Sequence, residues 1–179
     1  MMEELMIQFE KRALYFEAGL LAQGLYPISR NFELKRQIIQ KFAKGIHPSE
    51  IDFLTQNAIE YSVSEKYERE RVLKEYKTLN NIAYIENPKA SRSKAANWVM
   101  GHTRLVIGIA ITTHFAKKDK VDLVIRGRGL FDLRRVVPNM AIKYGGTGGG
   151  HKNACGARIP SQHLMEFLQE LDEYIENLL

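Results

Sequence analysis

One stretch of this sequence, residues 145–156, reads Gly145-Gly146-Thr147-Gly148-Gly149-Gly150-His151-Lys152-Asn153-Ala154-Cys155-Gly156. Five of its first six residues are glycine. Such a run predicts neither a helix nor a packed strand, because burial of side chains does not recover the backbone entropy lost there. Glycine-rich segments let main-chain N–H groups approach a phosphate. A flexible hairpin or linker is the alternative, but this run continues into small residues instead of serine and charge. We therefore expect a ligand-binding loop.

The residues at the end of the glycine run suit an anionic ligand. His151 adds a titratable donor and Lys152 a fixed cation. No Asp, Glu or second His stands at metal-ligand spacing from His151, and no carboxylate is near enough in sequence to make an acid–base pair. We therefore predict phosphate or sugar binding by His151 and its neighbours. Cys155, between alanine and glycine, is expected to be a small packed residue and not a nucleophile.

Positive charge is concentrated around this stretch. The formal net charge is +5, and residues 117–158 contain ten Lys and Arg against three Asp. After Pro160 the balance reverses, with five acidic residues and no Lys or Arg. The distribution favours an anionic ligand near the glycines, although many proteins of this net charge bind no nucleic acid.

A second anion-suited element is Arg126-Gly127-Arg128-Gly129, which leaves a predicted strand. The planar fork of arginine suits bidentate contact with phosphate oxygens, and glycines keep the approach open. Two solvated arginines at a strand end are the alternative interpretation. The two elements belong to the same α/β unit and are separated by one predicted helix. They could therefore face each other across a single cleft.

Composition limits the remaining classes. The hydrophobic fraction of 45% and charged fraction of 26% are those of a globular protein. A single cysteine excludes an internal disulfide and fits a reducing compartment. The first residues lack the basic region of a signal peptide, and the longest apolar run, Leu105 to Ile111, is shorter than the roughly 20 residues that cross a bilayer. We expect a cytoplasmic protein without a membrane partner.

Residues 1–79 are predicted to form a helical connecting segment. We expect helices from Met1 to about Gln23 and from Asn31 to Lys44, a restart at Pro48, and a fourth helix from Ser62, which has capping-box spacing to Glu65, to about Leu79.

Residues 80–179 are predicted to form an α/β domain with the order β-α-β-β-α-loop-β-α. The expected strands cover residues 82–85, 105–113, 121–126 and a short edge strand at 157–160. Expected helices follow Ser91 (to Met100), Asp132 (to Tyr144, interrupted at Pro138) and Ser161. The predicted fold class is α/β, an N-terminal helical segment followed by a small mixed β-sheet domain flanked by helices.

The segment Gly148 to Gly156 resembles the GGGHxxAxG signature of the DHH-associated domain. That domain is the C-terminal lobe of the DHH phosphoesterase superfamily, which includes RecJ exonucleases and oligoribonucleases. The preceding Gly145-Gly146-Thr147 is similar to an archaeal RecJ-like variant, and Arg126-Gly127-Arg128 falls where the family has an arginine at a strand end. The resemblance covers about Asn80 to Leu179. It departs at Cys155, where the family mostly has alanine.

The resemblance implies a division of labour between two lobes. In the family, an N-terminal lobe binds manganese through Asp and His, and the C-terminal lobe holds the phosphate and sugar of the nucleotide. The substrate-binding residues it implies here are Arg126, Arg128, Gly148, Gly149, Gly150, His151 and Lys152. No Asp-His-His or Asp-x-Asp set precedes the α/β unit. We therefore expect no catalytic residue, metal or cofactor in this chain, manganese only in a separate or missing lobe, and no hydrolysis by the chain alone.

The expected partners are a single-stranded nucleic acid or short oligonucleotide and a chain carrying the catalytic lobe, and a homodimer is left open. The alternative is a non-catalytic RecJ-like binding or scaffold protein. A third interpretation is a tRNA-binding module similar to the C-terminal domain of alanyl-tRNA synthetases, although His151 favours the phosphoesterase branch.

Overall fold

The structure is a computed structural model that describes residues 11–178. The described residues up to Tyr67 form one compact unit, and those from Glu68 onward form a second. The predicted division into residues 1–79 and 80–179 remains a prediction.

The first unit is helical. Helix α1 covers Lys11–Leu25 and α2 Phe32–Phe42; a 3-10 turn at Pro48–Glu50 precedes α3, Asp52–Glu75, which continues into the second unit from Glu68 onward. Asn31 caps α2 as predicted, since its side chain accepts a hydrogen bond from Leu34 N. Ile38, Ile51 and Leu54 form the buried centre of this unit. The predicted start of the first helix, at residues 1–10, lies outside the described residues.

The predicted fourth helix beginning at Ser62 is wrong. The chain is continuously helical from Asp52 to Glu75. Ser62 does not cap a helix; its hydroxyl donates to the carbonyl of Ala58, one turn earlier, at 2.7 Å. Capping spacing recurs by chance inside helices, and serine there bonds back along the same helix.

The second unit contains a six-stranded sheet in the order β1-β2-β3-β4-β6-β5. Its strands are β1 Lys77–Thr78, β2 Ile82–Glu86, β3 Ile107–Thr113, β4 Lys120–Gly127, β5 Thr147–His151 and β6 Ala154–Pro160. Its helices are α4 Arg92–Thr103, α5 Val137–Lys143 and α6 Leu164–Glu176, with 3-10 turns at Leu133–Arg135 and Ser161–His163. Strands β2 and β3 are parallel and are joined through α4, and the other pairs are antiparallel. The predicted fold class is confirmed.

Helices cover the two faces of the sheet unequally. On one face, α5 and α6 bury the alternate residues of β4 and β6 in the main core, which includes Leu123, Ile125, Ile159, Phe167 and Leu171. On the other face, α4 packs most extensively against β3 and also against β2 and β4. It approaches so closely that a Cβ on Gly108 would overlap the carbonyl of Ala96. All five residues of β5 remain exposed.

The prediction that the glycine stretch is a loop is wrong, because Thr147–His151 forms strand β5. It pairs with β6 across the turn at residues 152 and 153, and the ladder of main-chain hydrogen bonds offsets the entropy cost. Several positions also require glycine. A Cβ on Gly146 would overlap the carbonyl of Arg158, and one on Gly150, where φ is 147°, would overlap that of Ala154.

The predicted edge strand at residues 157–160 is likewise wrong. Strand β6 begins at Ala154 and lies between β4 and β5, so β5 forms the edge of the sheet. The core-facing residues Cys155, Ala157 and Ile159 are buried, as expected for an interior strand. Helix α4 continues past Gly101 and ends where Arg104 takes a left-handed φ of 62°. The interruption expected at Pro138 is confirmed, because a new helix, α5, begins at Val137 and Pro138 lies in its first turn.

In the described part of the chain, no helix is sufficiently long and apolar to span a bilayer.

Candidate functional site

The side of β4, β6 and β5 that faces away from α5 and α6 is called the open face here. Paired residues of neighbouring strands present their side chains on the same side of a sheet. The pairing of these strands therefore gives three rows, each read from β4 through β6 to β5: Arg126–Ala154–His151, Val124–Gly156–Gly149 and Asp122–Arg158–Thr147. Small residues occupy the middle of the face, and charged residues occupy both ends.

Arg126 and His151 lie in the same row, separated by Ala154. Two strand spacings put their backbones about 10 Å apart. The two sequence elements predicted to face one cleft are thus on the same side of the sheet. They also touch through the main chain: Gly127 N donates to Asn153 O, and Leu133 N donates to Lys152 O, each at 3.0 Å.

Arg126 is held in place on the open face. Its Nε and Nη2 donate to Ser93 Oγ at 3.1 and 2.6 Å, and its Nη1 donates to Ile125 O at 3.2 Å. A guanidinium has five N–H donors, so two of them are not used by these bonds. The arginine is therefore positioned by the first turn of α4 and still has donors for a ligand.

Arg128 has a different environment from Arg126. It follows β4 and lies beyond the three rows. Its Nε donates to Leu105 O and its Nη2 to Met100 O, both at 2.9 Å, which connects the strand end to the last turn of α4 and the segment after it. Its side chain is exposed but has these structural partners. A role in ligand binding remains a prediction for Arg128.

The three motif glycines do not share one environment. Gly148 and Gly150 belong to the core side of β5, where a Cβ on Gly148 would lie 3.1 Å from the Cβ of Ala141. Gly149 faces the open side, and a Cβ there would meet nothing within 4 Å. Its neighbour Gly156 has only an ordinary contact at 3.6 Å. The fold therefore explains Gly148 and Gly150, whereas Gly149 leaves a bare surface that no packing requires.

His151 and Lys152 are both exposed. His151 ends β5 on the open face, and Lys152 is in the turn to β6, where its carbonyl is used by Leu133. His151 is available to a ligand lying across the row that contains Arg126, and Lys152 is adjacent to that row.

A shallow concavity of about 380 Å³ lies over the other two rows. Its lining includes Arg92 at the start of α4, Asp122, Thr147, Gly149 and Arg158. Sequence reasoning did not single out Arg92 and counted Arg158 only within the general basic region. No local motif signals this cluster, because it depends on the register of three strands and on the placement of α4.

The predicted packing of Cys155 is confirmed. The side chain is buried on the core side of β6, and its Sγ donates to His151 O at 3.4 Å. Burial raises the pKa of this thiol, with the Asp132 carboxylate adding to the effect. The raised pKa disfavours the thiolate, which is the nucleophilic form, so Cys155 is a poor nucleophile.

Asp132 supports the loop behind the motif. Its hydrogen bonds from the Arg134 side chain hold the pKa of the carboxyl down at about 2, with the main-chain bond from Arg134 N also contributing. The same bonds fix the 3-10 turn whose first N–H reaches Lys152.

Within residues 11–178, no group of three or more His, Cys, Asp or Glu is arranged to hold a metal ion. The described residues therefore do not fit the manganese site that the resemblance implies for the catalytic lobe.

The fold and the site together are a mixed sheet that ends in a glycine-rich edge hairpin, with an arginine and a histidine aligned across it. Residues 82–177, more than half of the chain, match the family model of the DHHA1 domain. The chain therefore belongs to this family, and the predicted resemblance is confirmed.

Three known proteins are similar to this chain in sequence or in structure. An uncharacterized protein of Methanocaldococcus jannaschii is 37% identical over an alignment of 102 residues, and this alignment covers 55% of this chain and 22% of that protein. The pGpG-specific phosphodiesterase PggH of Vibrio cholerae has a similar structure, with a TM-score of 0.59 at 16% identity over 82% of this chain and 51% of that one. RecJ of Thermus thermophilus, solved with Mg²⁺, gives 0.52 at 12% identity over 73% and 21%. The two structural likenesses concern the fold alone. The chain spans about a fifth of the archaeal relative and about half of PggH.

Proposed function

We propose that the open face binds the sugar–phosphate part of a nucleotide or single-stranded nucleic acid, and that the chain serves as the binding lobe in DHH-type phosphoester hydrolysis. The observation that carries the proposal is the row Arg126–Ala154–His151 beside the bare position Gly149. A cation with spare donors and an exposed imidazole flank a surface on which Ala154 is small and Gly156 and Gly149 have no side chain, and such a surface allows close approach of a phosphate.

In this proposal each residue of the open face has a separate task. Arg126, fixed by Ser93, offers its remaining N–H groups to phosphate oxygens without first having to be ordered. His151 contacts a phosphate or sugar oxygen from the opposite side of the row. Gly149 allows the ligand backbone to lie on the sheet, and Lys152 adds positive charge beside it. Arg128 contributes to the local potential while it anchors the end of α4.

Hydrolysis would require a metal-binding lobe. We propose that manganese is held outside the described residues, by a DHH-type lobe on a partner chain or in another part of the protein. Two of the relatives are consistent with this arrangement, since PggH is a phosphodiesterase and RecJ was solved with Mg²⁺. In this proposal, residues 11–178 bind and orient the substrate, the natural ligand is a short oligonucleotide in the cytoplasm, and the chain alone does not hydrolyse it.

The test is calorimetric titration of the purified chain with adenosine 5′-monophosphate and with 5′-phosphorylated triadenylate. We expect Arg126→Ala and His151→Ala each to weaken binding about tenfold, the scale of one lost charge-assisted hydrogen bond. Arg36→Ala is the matched control, because Arg36 is an exposed arginine of the helical unit.

Failure of the unsubstituted chain to bind either ligand at millimolar concentration would refute the proposal. It would also be refuted if the Arg126→Ala and His151→Ala variants bound the ligands as tightly as the unsubstituted chain. A parallel assay with Mn²⁺ and the triadenylate tests the division of labour. Turnover by the purified chain would contradict it.

A further inference from the structure

The end of the open face away from Arg126 contains one carboxylate shared by two arginines. Arg158 Nε donates to Asp122 Oδ1 at 2.7 Å, and Arg92 Nη1 lies 3.6 Å from Asp122 Oδ2. Arg92 Nη1 also donates to Thr112 Oγ1 at 3.3 Å. Arg92 comes from α4 and Arg158 from β6, so the carboxylate on β4 joins two elements that are distant in sequence.

This cluster is not a closed ion pair. Two guanidinium groups against one carboxylate leave one positive charge. The Asp122 side chain is 18% exposed, whereas those of Arg92 and Arg158 are 44% and 46% exposed. The bonds named above leave both Nη groups of Arg158 without a partner among them, and these are the donors that form a bidentate contact with an anion.

The cluster borders the concavity and belongs to the same surface as the Arg126 row. Arg92, Asp122 and Arg158 line the hollow together with Gly149 and Gly156. Along β4, Asp122 is four residues from Arg126, which corresponds to about 13 Å. Between these rows lie Val124, Gly156 and Gly149, so no charged side chain interrupts the floor.

The start of α4 adds to the positive potential. Arg92 is its first residue, and the preceding Ser91 makes no side-chain capping bond, so the positive end of the helix lies beside the cluster. This contribution supports the arginines and would not make a site without them.

We propose that Arg92 and Arg158, oriented by Asp122, form a second anion subsite that binds a phosphate of the same ligand. This inference rests on the proposed function of the open face. The ligand then lies along the strands, with one phosphate at the Arg126 row and another at the Arg92–Arg158 cluster. Asp122 is a positioning residue that keeps the two guanidinium groups turned toward the hollow.

The subsite makes a prediction that the Arg126 row alone does not. A ligand with a single phosphate reaches one end of the face, whereas 5′-phosphorylated triadenylate reaches both. Arg158→Ala is expected to weaken triadenylate binding about tenfold and to leave adenosine 5′-monophosphate binding unchanged. Arg126→Ala weakens both. Arg36→Ala changes neither.

Salt dependence separates a phosphate contact from a structural role. For single strands, the slope of log K against log salt is negative, and each lost phosphate contact reduces its magnitude by about 0.7. The triadenylate slope should therefore become shallower by about that amount in Arg158→Ala, and the monophosphate slope should not change. Arg158→Lys keeps the charge but loses the fork, so we expect intermediate affinity and an unchanged slope. Fluorescence of Trp98, the sole tryptophan, checks that the sheet unit of each variant is folded.

Each outcome has one meaning. If the unsubstituted chain binds both ligands and Arg158→Ala binds triadenylate as tightly as that chain does, the proposal of a second subsite is wrong and the proposed function stands. If Arg158→Ala loses both ligands equally, Arg158 supports the whole face and the subsite is again wrong. If the unsubstituted chain binds neither ligand, the proposed function fails and this inference fails with it.

Discussion

The two sides of the β4–β6–β5 part of the sheet are built from alternate residues of the same strands, yet they differ in almost every physical property. The core side contains Leu123, Ile125 and Ile159, each at most 1% exposed and covered by α5 and α6. The open side contains Arg126 and Arg158, with small residues between the charged rows. Because adjacent residues point to opposite sides, substitutions one position apart should separate stability from binding.

The largest expected effect is on the core side of the glycine strand. Gly150→Ala would put a Cβ into the carbonyl of Ala154 at a φ of 147°. We expect a loss of about 3–5 kcal/mol in the free energy of unfolding. Urea denaturation followed by Trp98 fluorescence measures it, because this tryptophan packs in the sheet unit.

Gly149→Ala is the matched control for that measurement. Its Cβ would have no neighbour within 4 Å, so we expect stability equal to the unsubstituted chain or up to about 1 kcal/mol higher. Equal losses for the two substitutions would mean that the two sides of β5 do not differ as described.

A smaller effect, on binding alone, is expected for a larger side chain at the same open position. Gly149→Val would raise the floor between the charged rows, where the ligand backbone is proposed to lie. We predict at least a tenfold loss in affinity for 5′-phosphorylated triadenylate, measured by calorimetry, with little change in the urea midpoint. Val124→Ala, in the same row but without added volume, should leave affinity within about twofold. Undiminished binding by Gly149→Val would move the ligand off this surface.

The smallest effect concerns the helices that cover the core side. Tyr144 Oη donates to Glu170 Oε2 at 2.6 Å, and this bond raises the pKa of the tyrosine to about 12 from its ordinary value of 10.0. The folded pKa exceeds the unfolded one, so the bond stabilises the protein fully below pH 10. That stabilisation is lost as the pH rises toward 12.

Absorbance at 295 nm, taken as the difference between the unsubstituted chain and Tyr144→Phe, isolates this titration. Glu170→Gln should move its midpoint downward, because the carboxylate bond is the largest cause of the raised pKa. Tyr174→Phe, at a tyrosine that is 40% exposed, serves as the control for removal of a phenol. A midpoint that does not respond to Glu170→Gln would contradict the assigned cause.

Local patterns predicted much of this architecture. The apolar β-branched run gave the buried strand Ile107–Thr113, and Asn31 marked the start of α2. The glycine stretch was misjudged because its stability comes from pairing with β6 and from close contacts with Ala141 and Arg158, which glycine propensity does not encode. The predicted helix start at Ser62 is wrong because the capping-box spacing of Ser62 and Glu65 occurs both at helix starts and inside helices.

The candidate site was predictable only in part. Arg126 and His151 belong to motifs, and the structure aligns them in one row. The different uses of Gly148 and Gly149 follow from the side each faces, which requires the register. The association of Arg92 with Arg158 requires both that register and the position of α4. Contacts of this kind arise from tertiary structure and leave no periodic trace in the chain.

The carbonyl of Asn153 accepts the N–H of Gly127, the last residue of β4, and the carbonyl of Lys152 accepts the N–H of Leu133 in the segment that follows. An exposed two-residue turn ordinarily tolerates length changes and is a common choice for grafting a peptide or tag. Here an inserted residue would displace both acceptor carbonyls and break the hydrogen bonds from Gly127 and Leu133 to the hairpin. The turn therefore holds the end of β4 and the 3-10 turn at Leu133–Arg135 to the β5–β6 hairpin, and another loop would be a better place for the graft.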